Sequence, residues 1–230
     1  VGGVRVAQLL SIERVEIIGT AYDDEVVGGA LDDLIDMYRG GGRADGGAGD
    51  DLVRADFSDR TTGLTFNLSS NATVNAGAQV LLEVRNAERI SLIGGAGADQ
   101  FTGGDAADTF DGGGGNDLLV GGGGDDTFWL SGGNDDLRGG DGLDTLRYDG
   151  TLGLTIDLGA TGAQTTALGS LTLSSVENAR LMGTGAMTIT GSSDANIIYT
   201  GSGDDWISSG DGNDRIMSGD GGGYINAGSG

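Results

Sequence analysis

Residues 94–147 read GGAGADQFT, GGDAADTFD, GGGGNDLLV, GGGGDDTFW, LSGGNDDLR and GGDGLDTLR, six nine-residue units in unbroken register. Position six is aspartate every time: Asp99, Asp108, Asp117, Asp126, Asp135 and Asp144. Position eight is always large and apolar: Phe101, Phe110, Leu119, Phe128, Leu137 and Leu146. Glycine fills most of positions one, two and four. The positions that matter most are Gly94, Gly97, Gly103, Gly112, Gly115, Gly121, Gly124, Gly133, Gly139 and Gly142. Glycine there permits tight turns and leaves the backbone carbonyls unobstructed. Residues seven to nine of each unit then read as a short strand, with eight pointing inward and its neighbours outward.

Two further blocks keep the same register. The first starts at Gly19 with GTAYDDEVV, GGALDDLID, MYRGGGRAD and GGAGDDLVR. Its position six holds Asp24, Asp33, Gly42 and Asp51, so the third unit lacks a carboxylate. The last starts at Gly191 with GSSDANIIY, TGSGDDWIS, SGDGNDRIM and SGDGGGYIN. There position six holds Asn196, Asp205, Asp214 and Gly223. Each block follows a lead-in, SIERVEIIG, NAERISLIG or SVENARLMG, whose glutamate (Glu13, Glu88 or Glu177) stands six residues before a glycine. These glutamates are expected to face solvent or cap a coil, not to act as catalytic acids. The stretches between blocks, such as Gly63–Leu68 and Gly153–Leu158, alternate polar and apolar residues as strands do. Asp32–Tyr38 is the nearest approach to an amphipathic helix, and the nine-residue register assigns it to a turn and a strand instead. A larger unit thus recurs about three times, giving sections 1–54, 55–147 and 148–230. Repeats nested within repeats point to one continuous solenoid and not to a globule with a single core.

The composition narrows the chemistry. The 230 residues include 49 glycines and no proline, cysteine or histidine. All 12 basic residues are arginine, against 35 acidic ones, for a formal charge of -23. Such acidity speaks against nucleic acid and anionic membranes as partners. No apolar run approaches the ~18 residues of a membrane span. Zinc would want histidine or cysteine. Carbonyl and carboxylate oxygens suit calcium, which takes six to eight oxygen ligands, better than magnesium with its rigid octahedron. A flexible linker would not keep an apolar residue at every eighth position. Without histidine, lysine or cysteine, and with most carboxylates committed to turns, no enzyme chemistry is expected. The chain starts at Val1 and stops four residues into a repeat, and is read as a piece of a longer polypeptide.

The nonapeptide G-G-x-G-x-D-x-U-x resembles the repeat of RTX proteins, the hemolysin-type calcium-binding repeats. The resemblance is strongest in the central block and weaker in the outer two. It implies an all-β, right-handed parallel β-roll or β-solenoid with calcium-binding turns, in which two units make one coil. It further implies several Ca2+ ions, each held between a turn and the turn eighteen residues later. On that rule Asp99 pairs with Asp117, Asp117 with Asp135, Asp108 with Asp126, Asp126 with Asp144, and Asp33 with Asp51. Asp205 would face Gly223 and Asn196 would face Asp214, leaving those two sites weak or empty. Asp117 and Asp126 would each serve two ions and Asp99 one. The resemblance also implies type I secretion to the cell surface or beyond, with folding on calcium there. The expected role is a structural segment of an adhesin, surface layer or matrix fibre, self-associating through outward residues such as Trp129, Tyr199, Trp206 and Tyr224. The alternative is the C-terminal calcium module of a secreted protease, lipase or epimerase.

Overall fold

The structure, a computed structural model, describes residues 5–8, 16–68 and 71–230. Glu13 lies outside the described residues. Among those described there is no helix, so none long and apolar enough to cross a membrane. Asp32–Tyr38 contains the strand Leu34–Asp36, as the nine-residue register requires.

Each nonapeptide folds as a turn followed by a strand of three or more residues, and successive strands go to opposite walls. One wall is a ten-stranded sheet of the strands Glu16–Ile18, Leu34–Asp36, Leu52–Asp56, Arg89–Ile93, Thr109–Asp111, Thr127–Trp129, Thr145–Tyr148, Asn178–Leu181, Ile197–Thr200 and Arg215–Met217. All of its pairings are parallel. It crosses all three blocks without a break. At about 4.8 Å per strand it runs for about 43 Å.

The opposite wall is interrupted. In the first block it carries Asp24–Val27 and Gly42–Asp45, and in the central block Gln100–Thr102, Leu118–Gly123 and Asp135–Asp141. Between them stand Gln79–Arg85, Asn71–Ala76 and Leu64–Asn67, joined by antiparallel pairing. The second spacer also makes an antiparallel hairpin, with Gln164–Thr166 against Gly169–Ser174 at the edge of the same sheet. Beyond it a separate four-stranded parallel sheet begins, Thr155–Asp157, Thr188–Thr190, Trp206–Ser208 and Tyr224–Asn226. The spacers are therefore not simply wider coils of the roll. Their alternating runs are too long for a three-residue wall strand, and the excess folds back on itself.

Between the walls lies one apolar column. Phe101, Phe110 and Phe128 are fully buried, with ring centroids 5.9 Å apart for Phe101–Phe110 and 6.3 Å for Phe110–Phe128. Leu119, Leu137, Leu146, Ile35, Val53, Ile198 and Ile207 continue the column. Position eight is inward because alternation in a strand leaves only the middle of three residues facing the opposite wall. Phe110→Ala should lower stability by about 3–5 kcal/mol, because both neighbouring rings lose a partner and no third layer can collapse into the gap. Leu143→Ala, at a half-exposed turn position, should stay within about 0.5 kcal/mol. Urea unfolding in calcium-containing buffer checks both.

Candidate metal centres

The parallel register sets turns over turns at a spacing of eighteen residues, and the aspartates at position six stitch them together. The backbone N–H of Asp99 donates to Asp117 Oδ1 at 2.8 Å, and that of Asp108 to Asp126 Oδ1 at 2.7 Å. Asp117 donates to Asp135 Oδ1 at 3.1 Å and Asp126 to Asp144 Oδ1 at 2.8 Å. In the first block Asp33 donates to Asp51 Oδ1 at 2.7 Å. One carboxylate oxygen per aspartate is thus used for stacking.

The second oxygen divides the turns into two classes. In turns that open a stack it accepts the N–H of position two: Gly95 to Asp99 at 3.0 Å, Gly104 to Asp108 at 2.8 Å, and Gly29 to Asp33. In the turns of Asp117, Asp126, Asp144 and Asp51, position two adopts positive φ, +78° at Gly113, +115° at Gly122, +118° at Gly140 and +105° at Gly47. That rotation takes the N–H away. The Oδ2 atoms of Asp117, Asp126, Asp144 and Asp51 are then buried with no hydrogen-bond partner. A buried carboxylate oxygen without a partner is costly unless a cation meets it.

What surrounds these oxygens is backbone carbonyl. A side chain at Gly112 would collide with Asp117 Oδ2, and one at Gly121 with Asp126 Oδ2 and, at 2.7 Å, with Gly139 O. The carbonyls of Gly94 and Gly95 close on Gly113, and that of Gly97 on Gly115. Gly124, Gly133 and Gly142 similarly meet backbone of the turn below, at positive φ. Gly103 stands between Asp108 Oδ2 and the Gly121 carbonyl, and Gly139 beside Asp144 Oδ2. Among the described residues no three acidic side chains converge on a point. Each cradle has at most two carboxylates and otherwise carbonyls, a hard-oxygen donor set that fits calcium. The residues that would hold an ion are the stacked aspartates with the carbonyls around positions one to four. A bound Ca2+ supplies the positive charge that these oxygens lack.

The outer sites differ. Asp24 Oδ2 accepts Thr20 N–H at 2.6 Å and Thr20 Oγ1–H at 2.8 Å, while its own N–H goes to Gly41 O because Gly42 offers no carboxylate. Asp205 Oδ1 accepts Met187 N–H at 2.9 Å, and Gly223 stands on its other side with no side chain to add. Asn196 donates its N–H to Asp214 Oδ1 at 2.9 Å, and Asp214 Oδ2 is again buried and unpartnered. Asn196 also does what an aspartate could not. Its Nδ2 donates to Glu177 O at 2.7 Å, so that a donor meets the carbonyl in that interval.

Sequence reasoning left Glu88 and Glu177 open between solvent and a capping role. The structure gives them the cap: Asp51 N–H donates to Glu88 Oε2 and Asp144 N–H to Glu177 Oε2, each at 2.9 Å.

A search of family models finds the RTX calcium-binding nonapeptide repeat at residues 91–119, 111–146 and 190–230. The chain carries RTX calcium-binding repeats. No curated protein matches it. RTX repeats bind Ca2+ at multiple sites and occur in secreted bacterial proteins. The first block, residues 19–54, lies outside the RTX match, yet it repeats the Asp33–Asp51 contact and the unpartnered Oδ2 of Asp51.

Two outcomes follow. Gly115→Ala should destabilise the calcium-loaded RTX region by at least about 1–2 kcal/mol, the cost of a left-handed non-glycine residue before any clash with Gly97 O. Gly114→Ala, whose added methyl meets nothing closer than 3.8 Å, should stay near wild type in the same denaturation series. The second outcome concerns pH. Burial, with neighbouring aspartates adding to it, pushes the carboxyls of Asp117 and Asp126 up from 3.8 to about 7. Burial raises Asp108 and Asp51 to about 6. Without calcium the folded state then holds protons that the unfolded state has released by about pH 4. Ion-free stability should be greatest below pH 4 and fall as pH rises through 7, while calcium affinity rises over the same range. Circular dichroism of metal-depleted protein from about pH 3 to 8 and calcium titrations over the same range read both slopes.

Proposed function

We propose that this RTX region is a load-carrying scaffold segment of an adhesin, surface-layer or matrix-fibre protein, folding on calcium after export and self-associating. The observation that supports this reading is the unbroken ten-stranded sheet that runs through all three nonapeptide blocks. A module serving an enzyme needs no such length. A rod that bears on neighbours does, and its lateral residues support contact. Trp206 and Tyr224 stack with centroids 4.8 Å apart and are 57% and 51% exposed, with Met217 and Ile197 also exposed on the adjoining wall. Trp129 is only half-buried, under the Arg147 guanidinium at 4.3 Å, so it contributes less to that surface.

Within the region, Asp117 and Asp126 each have an aspartate eighteen residues before and after, and so would serve two ions, whereas Asp99 follows no nonapeptide on its wall and would serve one. Parallel crossovers are right-handed in about 98% of cases, and that hand is proposed for the roll. The alternative, the C-terminal module of a type I secreted protease, lipase or epimerase, requires the same ion chemistry but no association.

Far-ultraviolet circular dichroism and light scattering with and without calcium test the reading. Chelation should abolish the strand signal, and calcium should restore it with concentration-dependent growth in scattering. A strand signal unmoved by chelator would overturn calcium-dependent folding. A calcium-loaded chain that remains monomeric at all concentrations would overturn self-association in favour of the enzyme module.

A further inference from the structure

We infer that Glu88 and Glu177, outside any nonapeptide, are ligands that close the last calcium site of the first and central stacks. The inference rests on the RTX reading and extends it to residues that the repeat pattern does not contain.

Three observations converge. First, each glutamate occupies the place of the next turn's aspartate. Its Oε2 takes the N–H of Asp51 or Asp144 at 2.9 Å, the bond that Asp117 Oδ1 makes to Asp99 and Asp126 Oδ1 makes to Asp108. Second, the residue two positions earlier supplies the carbonyl. Asn86 and Ser175 have φ of +46° and +49°, and among described non-glycine residues only Tyr38 shares that conformation. The Asn86 carbonyl closes on Gly46 and the Ser175 carbonyl on Gly139, as the Gly121 carbonyl closes on Gly103. A non-glycine residue held at positive φ is strained and persists only where its surroundings demand it. Third, Asp51 and Asp144, 1% and 0% exposed, each keep an Oδ2 with no partner at these cradles. A cap serving only to satisfy an N–H would not need to leave that oxygen bare beside a second carboxylate.

The contrasting intervals agree. Where the stack has no carboxylate to follow, the neighbour is satisfied by other means: Gly41 O takes the Asp24 N–H, and the Asn196 amide bonds Glu177 O. The lead-in is therefore a shortened turn that ends a row of ions, with glutamate's extra methylene spanning what a full nine-residue turn would otherwise bridge.

Glu88→Gln and Glu177→Gln keep an oxygen that can accept the Asp51 or Asp144 N–H but remove the charge. Isothermal titration should count one calcium ion fewer for each variant and two fewer for the pair. The dependence of stability on the logarithm of free calcium should lose slope in step. Glu83→Gln, on an outward strand position paired with Arg85, should match wild type. An unchanged ion count and slope in both single variants would overturn the inference and leave the glutamates as hydrogen-bond caps alone. Wild-type protein that bound no calcium would instead overturn the RTX reading itself. The two glutamates lie in different stacks, so each variant serves as the folding control for the other.

Discussion

The structure depends on oxygen facing oxygen. The stacked turns of the central block bring backbone carbonyls and an aspartate up against the carbonyls and aspartate of the turn below. In most proteins apposed turns are held by donors meeting acceptors. Here the donors are already committed: one carboxylate oxygen takes the inter-turn N–H, and positive φ at position two turns the next N–H away. What remains is a column of partial and full negative charge inside the molecule, which a multivalent cation, or at low pH bound protons, can hold together. The apolar column between the walls is one side chain wide and could not do this alone. On the proposed reading, ion binding and folding are the same event.

Two conformations of one sequence motif follow from the same constraint. An opening turn has no nonapeptide beneath it, and Gly95 or Gly104 lends its N–H to its own aspartate. A following turn meets a neighbour's carbonyls, and Gly113 or Gly122 rotates to clear them. Glycine at position two is needed because the same nonapeptide must serve in either state. Tyr38, at positive φ in the unit whose position six is Gly42, shows that the rotation survives even where that carboxylate is gone.

The repeat made the central architecture legible in advance. Nine-residue spacing fixed which residue faces inward, and all six position-six aspartates of residues 94–147 are buried in the turns where the pattern put them. The spacers were legible only as strands. Alternation reports that a stretch such as residues 63–68 is extended, but it is blind to whether the next strand runs parallel or back, and here it runs back. Which of the two expected roles Glu88 and Glu177 take, and against which residue, was hidden for a different reason. Glu88 lies thirty-seven residues after Asp51, which fits no multiple of nine, so only the fold brings the two together. Asn196 read as a weakened aspartate. Its amide nitrogen, invisible to a search for charge, is the atom in use.

Eighteen residues make one coil and present both walls and both turns in the same register. Duplication or deletion of one such segment within a block therefore changes the rod by a single strand spacing and leaves every neighbour's environment as it was. Gain or loss of nine would send each later strand to the wrong wall. Genes for such chains can drift in length only in whole coils, so the molecule carries its own ruler, graduated in steps of about 4.8 Å.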